Sequence, residues 1–202
     1  MQISLDLAGA MTYVAYKSLL EKLMVEGKTT GKNQSVEFLN YAKINLQRMH
    51  RLEKTSLLIP DLTMVLGNLK QSYTWLIITE GWCGDAAQNL PVFELIEKVC
   101  PNIHLKLILR DEHPELIDRY LSHGSRSIPK VICFKKDEQS GGENNEQFVW
   151  GPRPHGLQQL VLQWLKEGVS KEEKGILVQK WYNEDKTLSL QKELLNLVNK
   201  LV

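Results

Sequence analysis

The sequence predicts an α/β fold: a mixed four-stranded sheet with helices on both faces, extended by further helices at each end. Three observations predict it. The run Trp75-Leu76-Ile77-Ile78-Thr79 is short and nearly all apolar, as a central strand covered on both faces must be. It stops at Gly81-Trp82-Cys83-Gly84-Asp85, a turn that opens a helix. Residues 103–109 alternate, with Ile103, Leu105, Leu107 and Leu109 on one side and His104 and Lys106 on the other, a strand with unequal faces. Lys130–Phe134 and Gln147–Trp150 flank a polar stretch, 135–147, that contains Gly141-Gly142 and reads as a hairpin loop. A strand-helix-strand unit followed by a hairpin gives a mixed sheet.

The elements follow in order. Val14, Leu19, Leu20, Leu23 and Met24 predict a helix that ends near Gly27, and 27–34 is a loop. Val36, Leu39, Ala42, Leu46 and Met49 recur at helical spacing. Asp61 is placed to cap a third helix with the face Leu62, Val65, Leu66 and Leu69. Tyr73–Thr79 is the first strand. Residues 84–99 turn Ala86, Ala87, Leu90, Phe93, Leu95, Ile96 and Val99 inward. Pro114–Leu121 is a short helix. Leu157, Leu160, Val161, Trp164 and Leu165 form a strict helical stripe, and Trp75, Trp150 and Trp164 are assigned to the core. Ser170-Lys171-Glu172-Glu173 is a capping box. Leu190, Leu194, Leu197, Val198 and Leu201 line one face of a final helix. That face packs within the chain by default; a homodimer through the terminal helices is the alternative to a monomer.

Composition narrows the function. Lys+Arg 25 against Asp+Glu 24 leaves no basic field, so no nucleic-acid partner is expected. No apolar run approaches the ~20 residues of a membrane span, so no membrane partner is expected. The N-terminal MQISLDLAGA lacks a positive lead and carries Asp6, unlike a signal peptide. Three cysteines without framework spacing fit a reducing, cytoplasmic setting. His50, His104, His113, His123 and His155 are scattered, so no metal and no cofactor is expected.

Chemistry concentrates at Cys83. A helix start offers unpaired N–H groups and a dipole that favour a thiolate. Asp85 opposes that effect by a similar amount, and Arg126 and Arg153 are the cations placed to tip the balance. Asp85 also has the bland role of a carboxylate in a helix's first turn. The partner of a CxxC pair is absent, because Ala86 stands there. Cys100, at the far end of the same helix, is on the order of 25 Å away at ~1.5 Å per residue. Cys133 lies inside a strand.

Strand, Trp82-Cys83-Gly84, helix, strand, helix and a proline before the next strand together resemble the thioredoxin family. Pro91 stands eight residues after Cys83, where thioredoxins carry a helix proline. Gly124-Ser125-Arg126-Ser127-Ile128-Pro129-Lys130 aligns with their cis-proline loop. Ile77 replaces their buried aspartate. The resemblance covers roughly residues 55–168, leaving 1–54 and 169–202 as helical extensions. More narrowly, Trp82-Cys83-Gly84-Asp85 with Leu109-Arg110-Asp111 and Trp150-Gly151-Pro152-Arg153 is similar to bacterial thioredoxin-like proteins that often lack the second cysteine. The resemblance implies a thioredoxin fold and thiol-disulfide exchange on a protein or low-molecular-weight substrate. Cys83 would be the nucleophile, with Asp85 and Pro129 beside it. Trp82, Gly84, Arg126, Ile128 and Arg153 would contact substrate, the Ile128 backbone being exposed to pair with an extended strand. An external thiol must then release the mixed disulfide. The alternative is a redox-inactive binding module on the same fold. A peroxidatic site is disfavoured by the absence of a Thr-x-x-Cys motif.

Overall fold

The computed structural model describes residues 9–135 and 145–202. Most of the leader reading of MQISLDLAGA, and most of the hairpin loop with Gly141-Gly142, lie outside the described residues.

Four strands form one sheet: β1 (Tyr73–Thr79), β2 (Ile103–Leu109), β3 (Lys130–Lys135) and β4 (Asn145–Trp150), in the order β2-β1-β3-β4. β1 runs parallel to β2, in the register Trp75 to Leu105, and antiparallel to β3, which is antiparallel to β4. The side chains of Trp75 to Ile78 are wholly buried, which is why that segment carries no alternation. Helix α4 (Gly84–Val99) crosses from β1 to β2 and buries Leu90, Phe93 and Ile96 completely. Each such side chain contributes about 1.5–3 kcal/mol. Phe93 meets Trp75 and Trp150 edge-on at 6.0 and 5.5 Å between ring centroids, and Trp75 meets Phe148 at 5.7 Å.

The remaining helices are α1 (Tyr13–Val25), α2 (Val36–Thr55), α3 (Pro60–Asn68), α5 (Pro114–Ile117), α6 (His155–Lys166), α7 (Lys171–Asp185) and α8 (Leu188–Val198). Met11 bridges to Leu107, so the chain before α1 touches the sheet edge. α2 packs along α4. α8 packs on α3 and buries Leu190, Leu194 and Val198. Gln191 ties the pair, donating to Leu57 O at 3.0 Å and accepting from Ile59 N at 2.7 Å.

The helices sit where periodicity puts them, but several faces are rotated. Val14 and Val36 are 68% and 73% exposed. The inward residues of α1 are Tyr13, Tyr16 and Leu20, and those of α2 include Asn45 and Leu52. The tyrosines set the phase of α1: Tyr13 is buried to its hydroxyl, which donates to Glu53 Oε1 at 2.7 Å. Asp61 does not cap α3; Ile59 holds that position and Pro60 opens the first turn. α5 stops at Ile117, short of Leu121. On α6 only Leu157 is fully buried, Trp164 is half-buried and Leu165 is exposed, so Trp164 is not core. Val99 likewise faces outward.

Candidate functional site

Cys83 is the N-cap of α4. Its Sγ accepts from Ala86 N at 3.4 Å. Across the groove its thiol donates to Ile128 O at 3.2 Å, and the Ile128–Pro129 peptide is cis. The fold therefore brings Cys83 and the Pro129 loop into contact. The sulfur is covered: Cys83 is 8% exposed. Burial, with the Asp85 charge second, pushes its thiol up to about 12 against the Ala86 N–H and Arg153, which pull the other way. At pH 7 the neutral thiol is therefore the dominant form. The helix start favours the thiolate as the sequence suggests, but dehydration of the sulfur outweighs it.

Asp85 is held on both oxygens. Arg153 Nη2 and Nε donate to its Oδ2 at 2.5 and 3.1 Å, and Tyr182 Oη donates to Oδ1 at 2.8 Å. Asn89 Nδ2 bridges Asp85 O and Tyr182 Oη at 2.7 and 3.2 Å. Burial followed by the Asp85 charge holds the Tyr182 phenol well above its usual range.

The other expected contacts divide. Gly84 opens the first turn of α4. Ile128 is buried and its carbonyl accepts from the Cys83 thiol, so a substrate strand would compete with the thiol for that oxygen. Arg126 is exposed and does not join the sulfur; Nε and Nη2 grip both Asp118 oxygens at 2.6 Å. An ion pair eight residues away in the chain takes it instead. Trp82 is half-buried, with Phe38 at 5.1 Å and the Arg110 guanidinium stacked at 4.7 Å. Its Nε1 is buried and has no partner among the described residues. Arg110 also pairs with Asp111 at 2.8 Å. Cys100 Sγ donates to Leu66 O at 3.4 Å, far along α4, and Cys133 is enclosed in β3.

Several residues that hold the motif come from outside the sheet domain, and no local pattern marks them. Gly81 N donates to Thr30 Oγ1 at 2.8 Å, and Asn45 Nδ2 donates to Gly81 O at 3.0 Å. Wholly buried Glu80 accepts Asp111 N at 2.9 Å. Gln88 Nε2 donates to Gln179 Oε1 at 2.8 Å. Beside Pro129, Lys130 is buried and its amine is pushed down to about 8; Nζ donates to Ser122 Oγ at 2.5 Å and Gly151 O at 3.2 Å. No cluster of three metal-binding side chains occurs among the described residues. No described helix is long and apolar enough to cross a membrane.

The raised thiol has a pH signature. Its folded value, about 12, lies above the ordinary 9.0. The neutral thiol therefore adds stability that is whole below pH 9 and drains away as pH rises toward 12. At pH 10 the loss is about 1–2 kcal/mol. Urea unfolding at pH 7 and pH 10 should show the stability advantage of wild type over Cys83→Ala narrowing by that amount. A constant difference would mean the thiol is not dehydrated.

A family model described as Thioredoxin matches residues 31–173. Two solved structures share the fold over 95% of this chain. One is a protein of unknown function from Pseudomonas aeruginosa, 17% identical, with a TM-score of 0.58 and 99% of that chain covered. The other is an HIV epitope-scaffold, 17% identical, with a TM-score of 0.54 and 100% of that chain covered. Among curated proteins nothing matches.

Proposed function

The chain belongs to the thioredoxin family, and on that premise we propose that it is a thioredoxin-fold binding module whose one motif cysteine is chemically quiet at rest. The 3.2 Å bond from the Cys83 thiol to Ile128 O carries this reading. A thiol that donates is not a thiolate that attacks. The same bond engages the backbone acceptor through which a family member would pair with a substrate strand. Exchange also needs a thiol to expel the bound partner. Ala86 offers none, and Cys100 and Cys133 are sealed in apolar surroundings.

A second reading, a single-cysteine oxidoreductase, is favoured by one observation: the Ala86 N–H and Arg153 both draw the Cys83 thiol down. In that reading the Cys83 thiolate attacks one sulfur of a protein or small-molecule disulfide. The S–S bond breaks as the new one forms, and the departing thiolate takes a proton. An external thiol then reduces the mixed disulfide. Asp85 would pass the proton, and Trp82, Gly84, Ile128 and Arg153 would meet the substrate after the Pro129 loop swings away.

Alkylation by iodoacetamide, followed at Cys83 from pH 6 to 11 with Cys83→Ser as the control, separates the two. The binding reading expects an apparent pKa well above the ordinary ~8.5 and insulin reduction no faster than the dithiol reductant alone. An apparent pKa below 8.5 with insulin turnover would hand the assignment to the oxidoreductase.

A further inference from the structure

A cavity of about 1020 Å³ opens beside the motif, and it reaches Gly84 and Asp85 but not Cys83, Ile128 or Pro129. Part of its wall is apolar, with Ile44 from α2, Val161 from α6 and Ile176 from α7, the last 70% exposed, and charged side chains such as Lys174 and Lys180 line the rest. At its floor the chemistry changes. An atom added at the Gly84 Cβ position would lie 3.6 Å from Gln179 Nε2, 3.7 Å from Arg48 Nη1 and 3.9 Å from Asn45 Oδ1, the last already taken by Arg48. Gln179 gives its oxygen to Gln88, which leaves its NH₂ turned to this point. Two side-chain donors thus converge over the first turn of α4, whose amides lack helical acceptors.

Arg48 has no ion pair of its own among the described residues. Arg48 bonds to Asn45 Oδ1 at 2.8 Å, and Arg51, one turn on, bonds to Asn183 Oδ1 at 3.3 Å. Both partners are neutral amides, and neither arginine has an ion pair among the described residues. Burial, and then repulsion from Arg51, lower the Arg48 guanidinium below its usual range. The Asp85 charge acts against that lowering, but none of the carboxylates lining the cavity forms an ion pair with Arg48. Asp85 belongs to Arg153 at 2.5 Å, and Glu184 pairs with Lys180 at 3.9 Å. A half-buried cation without an ion pair, facing a groove with apolar wall on one side, is the arrangement an anionic ligand completes.

We propose that this cavity binds a small amphipathic carboxylate, its head on Arg48, Gln179 and the Gly84 amide and its hydrocarbon body between Ile44, Val161 and Ile176. This deepens the binding-module reading and rests on it: the chamber, not the thiol, is the working surface. The ligand undergoes no chemistry there.

Titration calorimetry of the full chain with submicellar octanoate, and with octan-1-ol as its uncharged counterpart, tests the proposal. One octanoate per chain is expected, with octan-1-ol at least tenfold weaker. Arg48→Met should weaken octanoate at least tenfold and leave octan-1-ol unchanged. Ile176→Asp, at a position 70% exposed, should weaken octanoate as much. Absence of saturable octanoate binding, equal affinity for the alcohol, or full affinity in Arg48→Met overturns the assignment. Cys83 alkylation on the same samples keeps the readings apart. Slow alkylation without octanoate binding sinks this site alone, whereas fast alkylation sinks the quiet-thiol reading whatever the calorimetry gives.

Discussion

Replacing Asp85 with Asn should speed alkylation of Cys83 at pH 7 about tenfold while making the fold less stable by about 2–3 kcal/mol. After burial, the Asp85 charge is the largest influence raising the Cys83 thiol. A like charge at short range shifts a pKa by about 1–3 units, and each unit is a tenfold change in thiolate. The loss of stability has a separate origin. Arg153 and Asp85 are a mostly buried pair, with side chains 18% and 11% exposed. Removing one partner of such a pair costs about 3–5 kcal/mol, and here less, because Asn can still accept from Tyr182 and Arg153. Arg153→Met supplies the control. It too removes half of the pair and destabilises, but it strips Cys83 of its cation and leaves Asp85 unopposed, so alkylation should slow. Iodoacetamide rates and urea midpoints on both variants decide the matter. If both variants alkylate faster in proportion to their lost stability, exposure by unfolding controls the thiol and the electrostatic account is wrong.

That the thiol and the proline loop meet was legible from Trp82-Cys83-Gly84, Pro91 and Ile128-Pro129, because these are local signals at fixed spacing. The strands were legible for the same reason. Alternation at 103–109 and an unbroken apolar run at 75–79 are what one-sided and two-sided burial impose on a strand. What the thiol experiences was not legible. Its burial and its neighbours depend on Thr30 and Asn45 reaching Gly81 and on Tyr182 reaching Asp85 across 97 positions. No periodicity encodes those contacts. The misread faces of α1 and α2 share one cause. Apolar spacing identified a helix, but Tyr13, Tyr16 and Asn45, which carry polar atoms inward and satisfy some of them there, fixed its rotation. Arg126 shows the limit of nearness in sequence. It stands three residues from Pro129, yet a bidentate pair with Asp118 turns it to solvent. The same limit applied to Ile128, whose carbonyl was already occupied.

Gly151→Ala should destabilise the protein by about 2–5 kcal/mol and loosen the Cys83 contact with it. Gly151 sits at φ +112, where L side chains rarely go, and a Cβ there would overlap Pro129 O and lie 3.5 Å from Lys130 Cα. The obstacle is backbone, so no rotamer relieves it. Nor can the loop retreat easily. Lys130 Nζ holds Gly151 O and Ser122 Oγ together, and the preceding Ile128 O is bound to the thiol. Strained backbone costs about 1–3 kcal/mol and overpacking a similar amount. Gly124→Ala isolates the first cost, since Gly124 has φ +75 and nothing within 4 Å of the added carbon. Its midpoint in urea should fall by about 1 kcal/mol equivalent, and Cys83 alkylation should not change. In Gly151→Ala the displaced Pro129 loop pulls Ile128 O from the sulfur, so alkylation rises by more than the lost stability alone explains. Equal shifts in the two variants would mean that Pro129 yields freely, and that the contact closing the groove over Cys83 is not held from the Gly151 side.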